Sequence, residues 1–515
     1  MPKHVVIIGG GTAGWLTAAV LARALVAYEQ DGVRITLCES EDIGILGVGE
    51  GTFPTIRQTL ARIGIEEGLF MRGTSATFKQ GIRFVNWEHN PGSAGRDHYF
   101  HLFNLFEAGD GLDLVPYWLL GCAGSDVTLA DAITTQGRSA AACRAPKRIS
   151  DPAYQGPMNY AYHFDAGKFA GTLKLAARAL GVRHIVDTVN AVNLDESGAL
   201  ASVSTQNNGL LSGDLFVDCT GFRAELIGRA LKVPFRSCRD ALFCDRAWAM
   251  QVPYDRPDAP IPSYTISTAH EAGWTWEIGL DTRRGIGYVF SSQHTDDARA
   301  EQVLRDYIGP AAAGRSARLL KFDVGFREAH WVKNCVAVGL SSGFFEPLES
   351  TGIVLVEVAA SLLARLFPWA GDMEGAAKDF NAHMMKRYER IIDFLKLHYC
   401  LTKRVDTAFW RDNIRPETIP DSLRERLERW RHRVPSSLDF ESDYESFTPQ
   451  SYQYILYGMG FRTDLRARAP AYRMADAARR DFQKIREFSE RAAAELPSHR
   501  ALIEKIYRNG LSGAL

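Results

Sequence analysis

Residues 4–14 read His4-Val5-Val6-Ile7-Ile8-Gly9-Gly10-Gly11-Thr12-Ala13-Gly14. An apolar, β-branched run this short predicts a buried strand, and the glycines behind it open a helix predicted over Ala13–Glu29. A second strand, Val33–Cys38, follows and ends in Glu39. The glycines satisfy G-x-G-x-x-G where that pattern carries meaning, directly after a strand and at a helix start. Gly9 permits the tight turn, Gly11 lets a pyrophosphate approach the backbone, and Gly14 allows the helix to pack closely. The amides of Thr12 and Ala13 belong to a helix start that attracts phosphate, and Glu39 can accept bonds from ribose hydroxyls. A purely structural glycine turn is the plainer alternative. With strand, helix and terminal acid in register the reading is a dinucleotide site on an α/β fold, with FAD and NAD both open.

A chain of 515 residues is too long for one hydrophobic core, so two or three lobes are expected. Lys plus Arg (60) nearly balances Asp plus Glu (61), which removes the field that nucleic-acid binding needs. The eight cysteines form no Cys-x-x-Cys pair and no His/Cys cluster at zinc spacing, so no metal is expected and the thiols read as reduced. No charged and apolar leader precedes the first strand, and no apolar run of about 18 residues follows. The expectation is a soluble, cytoplasmic protein without a membrane segment, for which a homodimer is the commonest assembly.

Ile43–Pro54, which includes Gly49, is a glycine-rich extended strap of the kind that passes close to a ligand, or else a surface loop. Leu211–Asp218 and Asn334–Leu340 read as further strands, each running into a glycine turn. Recurrent apolar spacing predicts helices over Ile353–Phe367, Ala376–Tyr399, Asp421–Arg431 and Ala471–Ala494. The expected organisation is a nucleotide-binding domain over 1–360, with inserted pocket segments near 75–165 and 240–300, and a mostly helical lobe over 361–515.

Three segments carry possible chemistry. Lys79 falls in an alternating run where Gly81, Arg83 and Val85 share its face, and such a lysine ordinarily faces solvent. Gly343–Ile353 contains Glu346-Pro347-Leu348-Glu349-Ser350-Thr351-Gly352, where Pro347 stiffens a turn and Ser350 and Thr351 offer capping hydroxyls at a helix start. The amides of Thr351 and Gly352 suit a small anion or the electron-rich edge of a reduced flavin; a simple capped helix is the alternative. Gly273–Ile278 places Trp274 and Trp276 on one strand face, as core packing or as a wall beside a ligand.

Taken together, Gly9-Gly-Gly-Thr-Ala-Gly-Trp15, Phe78-Lys-Gln-Gly-Ile-Arg-Phe84, Gly273-Trp-Thr-Trp-Glu-Ile278 and Glu346–Gly352 resemble the flavin-dependent tryptophan halogenases. The likeness runs from residue 5 to about residue 460. It implies an FAD-binding Rossmann-like domain of the flavin monooxygenase type and reduced FAD supplied by a separate flavin reductase. With oxygen the flavin gives a hydroperoxide, and halide, chloride or bromide, attacks it to yield hypohalous acid. That acid reaches a lysine matching Lys79, which delivers the halogen to an indole or another electron-rich arene. Glu349 matches the carboxylate that works with the lysine, and Thr351 and Gly352 match the halide site. The resemblance assigns His101, Phe103 and Ser350 to the substrate pocket. It makes Trp274 and Trp276 the barrier between substrate and flavin, and it adds Val189, Leu340 and Ile353 to the FAD contacts. Glu346 reads as structural.

Two departures stand out. Gly279 follows Ile278 where the family motif usually has proline, and Asp443–Tyr454 lacks an obvious tyrosine-pair lid, which points away from free tryptophan. The alternatives are an aromatic hydroxylase or epoxidase on the same fold and, more remotely, a non-catalytic flavin-binding protein.

Overall fold

The computed structural model describes residues 2–41, 49–93, 95–103, 111–441 and 444–511. Most of the expected strap, and Asp443, lie outside the described residues. The chain groups into two compact units: Met1–Ala76 with Phe164–Arg239 and Lys321–Glu389, and Thr77–His163 with Asp240–Leu320 and Arg390–Leu515. Residues 361–389 thus group with the N-terminal stretches rather than with a lobe beginning at 361.

The first unit is built on a six-stranded sheet in the order Trp331–Val332, Cys335–Ala337, Leu215–Asp218, His4–Ile8, Arg34–Glu39, Arg183–Val186. Every pairing is parallel except the Trp331–Val332 edge. Val5, Val6, Ile7 and Ile8 are all buried because both faces of the central strand are covered, which is why the sequence shows a continuous apolar run and no alternation. Val6 and Ile8 join Phe216, Cys335, Leu226 and Ile227 in one core, while Leu37 lies under the first helix beside Gly14. That helix, Thr12–Ala24, packs against the helices Ala166–Ala179 and Thr351–Arg365.

Several predicted boundaries move for local reasons. The first helix stops at Ala24 and not near Glu29, because Val26 turns left-handed at φ 49°. The strand foreseen over Leu211–Asp218 is two, Leu210–Ser212 and Leu215–Asp218. The strand foreseen over Asn334–Leu340 is shorter, since Gly339, at φ +76°, turns the chain into the short 3-10 segment Gly339–Ser341.

In the second unit a largely antiparallel sheet runs Arg318–Lys321, Arg246–Pro253, Arg283–Phe290, Gly273–Gly279, Thr265–Ala269, Gly81–Val85, His98–Leu102, with Thr265–Ala269 and Gly81–Val85 parallel. The helices Asp421–Trp430 and Ala475–Glu495 lie close to their predicted spans. Two more, Pro449–Gly458 and His499–Asn509, are short and start at capping hydroxyls of Thr448 and Ser498. Among the described residues no helix is long and apolar enough to cross a membrane, and no group of three or more potential metal ligands occurs.

Candidate active site

The glycine turn of the first unit depends on Gly9, whose φ is +112° and where a Cβ would stand 2.2 Å from the carbonyl oxygen of Cys219. Gly14 is equally constrained, its would-be Cβ 1.8 Å from the Gly9 oxygen, so the helix rests directly on the turn. Gly11 differs. A Cβ there would meet no atom of the chain within 4 Å, and the helix it precedes has no side-chain cap. The amide-rich start at Thr12 and Ala13 therefore has room and electrostatic preference for an anion from outside the chain. Gly339 lies over Ala13, a Cβ at 339 falling 2.7 Å from the Ala13 Cβ, and Leu340, which follows it, is half-buried.

Glu39 is held by three neighbours. Trp15 Nε1 donates to its Oε2 at 3.2 Å, Lys174 Nζ donates to its Oε1 at 2.7 Å, and His184 Nε2 lies 2.8 Å from Oε1. An ionised carboxylate has about four lone-pair positions, so this arrangement orients Glu39 and leaves acceptor capacity for a diol. Burial, then the Lys174 charge, lowers the His184 pKa, while Glu39 raises it. Gly49 is buried at the head of the short strand Gly49–Gly51, and Val189 packs its side chain onto the sheet core.

The second helix start in this unit is made differently. Ser350 sits left-handed, at φ 59° and ψ 36°, and makes no side-chain cap bond. The expected Ser350 cap is thus corrected: a capping hydroxyl reaches the N2 or N3 amide from extended backbone, and the left-handed turn takes it off that path. Pro347 closes the turn by accepting from the Ser350 amide at 3.0 Å. Thr351 and Ile353 are buried, and Glu346 and Glu349 are buried with them. A Cβ at Gly352 would again meet nothing within 4 Å. Farther along this helix Glu357 accepts from Thr59 Oγ1 at 2.6 Å and Thr55 Oγ1 at 3.2 Å, a pairing no local pattern announces. Burial pushes its pKa up to about 7, against the lowering effect of both hydroxyls.

In the second unit Lys79 has no solvent exposure, against the ordinary expectation for a strand lysine. The run carrying it is not continuous: Thr77–Lys79 pairs with Ala161–Asp165, whereas Gly81–Val85 belongs to the large sheet. Lys79 therefore does not share a sheet face with Gly81, Arg83 and Val85. The break falls at Gln80, whose amide donates to Ser263 O at 2.7 Å and whose side chain donates to Ser263 Oγ and Arg144 O, both at 2.8 Å. Gln80 also accepts from the Phe103 amide at 3.1 Å, and Lys79 Nζ stands 5.3 Å from the centroid of the Phe103 ring. That distance is in range for cation–π attraction.

His101 is buried among Phe394, Phe447 and Tyr454, with ring centroids at 5.9, 6.5 and 5.8 Å. Phe447 stacks on Phe394 at 3.7 Å, so the described part of the lid segment contributes aromatic wall. Trp274 and Trp276 are buried 6.5 Å apart on one strand. Trp276 lies over Gly287, where a Cβ would stand 2.0 Å from its ring. The Gly279 departure has a local cause: a Cβ there would fall 2.6 Å from the Tyr254 hydroxyl and 2.8 Å from Ile261.

The family model for tryptophan halogenase matches residues 4–475. Tryptophan 6-halogenase SttH of Streptomyces toxytricini is 39% identical over 96% of this chain and 97% of its own. The crystal structure of a tryptophan halogenase from Shewanella frigidimarina superposes with a TM-score of 0.95, at 41% identity, covering 100% of this chain and 99% of that one. Tar14, a tryptophan C-6 flavin-dependent halogenase (chlorinase) from taromycin biosynthesis, gives a TM-score of 0.90 at 39% identity, covering 98% and 99%.

Proposed function

The chain belongs to the tryptophan halogenase family and is a flavin-dependent halogenase, and we propose that it halogenates an indole-type or other electron-rich aromatic ring from Lys79. The observation that carries this reading is the complete burial of Lys79 beside an aromatic ring, an arrangement a surface lysine does not need.

The first unit fits FAD. Gly11 gives a diphosphate access to uncapped amides, Glu39 is oriented toward a ribose diol, and Leu340, Ile353, Gly49 and the Val189 backbone are the remaining contacts we assign to it. When bound and reduced, by a separate flavin reductase, the cofactor would activate molecular oxygen, and it is the oxygen that supplies the two-electron oxidation of halide to hypohalous acid. Thr351 and Gly352 are the halide position, since an open glycine in the first turn of a helix leaves amides to a small anion.

Lys79 then holds the electrophile, by hydrogen bond or as a haloamine, and directs it at one ring carbon by proximity. Glu349 takes the proton or stabilises the cationic ring. The family resemblance assigns His101, Phe103 and Ser350 to the substrate and gives Trp274 and Trp276 the role of keeping it from the cofactor. The test is incubation with FAD, a flavin reductase, NADH and either bromide or chloride, and mass spectrometry over indole, free tryptophan and larger indoles. Halogenated product is expected. Hydroxylated product without halogen would favour the monooxygenase alternative instead.

A further inference from the structure

Lys79 sits at the end of a three-residue edge strand, too short for its own ladder to fix it. Its position must come from bonds made elsewhere. Thr77 Oγ1 donates to Gly279 O at 2.5 Å, and Gln80 is tied to Ser263, Arg144 and Gln136. Between these anchors the amide of Phe78, on the open side of the strand, donates to His499 Nε2 at 3.0 Å.

We propose that His499, at the start of the last helix and beyond the 4–475 stretch matched by the family, is a positioning residue for Lys79, acting through the backbone amide of Phe78. The proposal rests on the Lys79 reading above.

The chemistry of the ring is fixed by its two partners. The Phe78 N–H can only donate, and the carbonyl of Ile261, 3.0 Å from Nδ1, can only accept. Only the neutral ring protonated on Nδ1 satisfies both. An imidazolium would set N–H against N–H. Burial, with the nearby Arg500 charge, pushes the His499 pKa down to about 4, which keeps this form through neutral pH. The neighbouring His163 is held neutral as well, by burial first and then by the charge of Lys79.

The ring is itself stitched in place. The His499 amide donates to Cys143 O at 2.8 Å, and the Ala145 amide donates to Pro497 O at 3.0 Å. Arg144, between them, accepts from Gln80, so the His499 backbone and the Gln80 side chain are both tied to the stretch Cys143–Ala145. A buried N–H left without an acceptor is unfavourable, which would draw a three-residue edge strand out of register.

Two replacements separate the two nitrogens. His499→Asn keeps a donor for Ile261 and loses the acceptor for Phe78; His499→Gln places an oxygen near the lost Nε2. In the full-length enzyme, His499→Asn should lower kcat for arene halogenation about 10- to 100-fold, the scale expected for a misplaced catalytic group. Oxygen consumption and flavin affinity should stay at wild-type values, and His499→Gln should recover most of the loss.

Position is read independently by acetylating the folded protein with acetic anhydride and quantifying Lys79 by mass spectrometry. Labelling of Lys79 should rise several-fold in His499→Asn and remain near wild type in His499→Gln. Unchanged labelling and coupling in a folded His499→Asn would overturn the proposal, as would losses in both variants that simply track melting temperature. If neither variant folds, amide exchange of Phe78 in the wild type decides: strong protection supports the bond, and rapid exchange refutes it. Lys79→Met, run beside them, separates the two readings. Retained halogenation there with altered labelling in His499→Asn would remove the relay role of Lys79 and leave its positioning intact.

Discussion

Glycines do opposite work in the two units. At Gly287 and Gly279 of the second unit a Cβ would collide with the Trp276 ring and with Tyr254 and Ile261, so glycine is there to admit side chains of the same chain. At Gly11 and Gly352 of the first unit a Cβ would meet nothing, and both positions stand at helix starts without side-chain caps. Openness alone marks nothing, since exposed Gly171 is open too. Openness at an uncapped helix start leaves backbone amides accessible to an anion, which is the role proposed for both positions. On the reading proposed above, one unit offers backbone amides to anions and the other offers buried side chains to a ring.

That contrast can be broken experimentally. The largest effect is expected from Gly11→Val, which should weaken flavin binding about 100-fold, or ~2.7 kcal/mol, while the melting temperature of the flavin-free protein holds. Titration with FAD beside a thermal melt checks it, and a fall in melting temperature with intact binding would place Gly11 among the packing glycines. Glu349→Gln should slow arene halogenation by about 100-fold, the usual scale for a lost acid–base group, with oxygen consumption retained. Steady-state product formation against oxygen uptake separates the two.

Gly287→Ala should behave as the mirror image of Gly11→Val. It overpacks Trp276 and should destabilise by about 1–3 kcal/mol in denaturant unfolding, with flavin affinity unchanged. The smallest effect concerns Glu357, whose pKa in the fold, about 7, lies above its ordinary value. The folded state then binds more protons than the unfolded one between those values, so this group's stabilisation is full at low pH and fades as pH rises through 7. Glu357→Gln should flatten the decline in melting temperature between about pH 5 and pH 8.

How much of this could be read from the chain follows from the range of each interaction. The strand, turn and helix of residues 4–24 are legible because their apolar run, glycines and helix start follow one another directly in the chain, although the strand's partners and the Cys219 carbonyl that constrains Gly9 lie far away. The motif around Lys79 was visible as a resemblance, but its burial was not, because the strand break at Gln80 depends on Ser263 and Arg144. Ser350 has the composition of a cap and the backbone of a left-handed turn, and composition does not distinguish these. Cβ clearance at Gly11 and Gly287 depends on what the fold brings beside each, nothing within 4 Å at the first and the Trp276 ring at the second. His499 meets Phe78 across 421 positions and Glu357 meets Thr55 across 302, with no periodicity to connect either pair. The interleaving of six stretches into two units leaves no linker signature either.

On the proposed reading halide oxidation and ring halogenation are separable, with Lys79 serving only the second. The direct measurement is Lys79→Met with reduced FAD, oxygen and bromide, following in one reaction a small-molecule trap for hypobromous acid and the brominated arene. Trap oxidation at the wild-type rate with arene product reduced about 100-fold or more is the predicted result. Arene bromination at a rate near wild type, or loss of trap oxidation together with product, would contradict it.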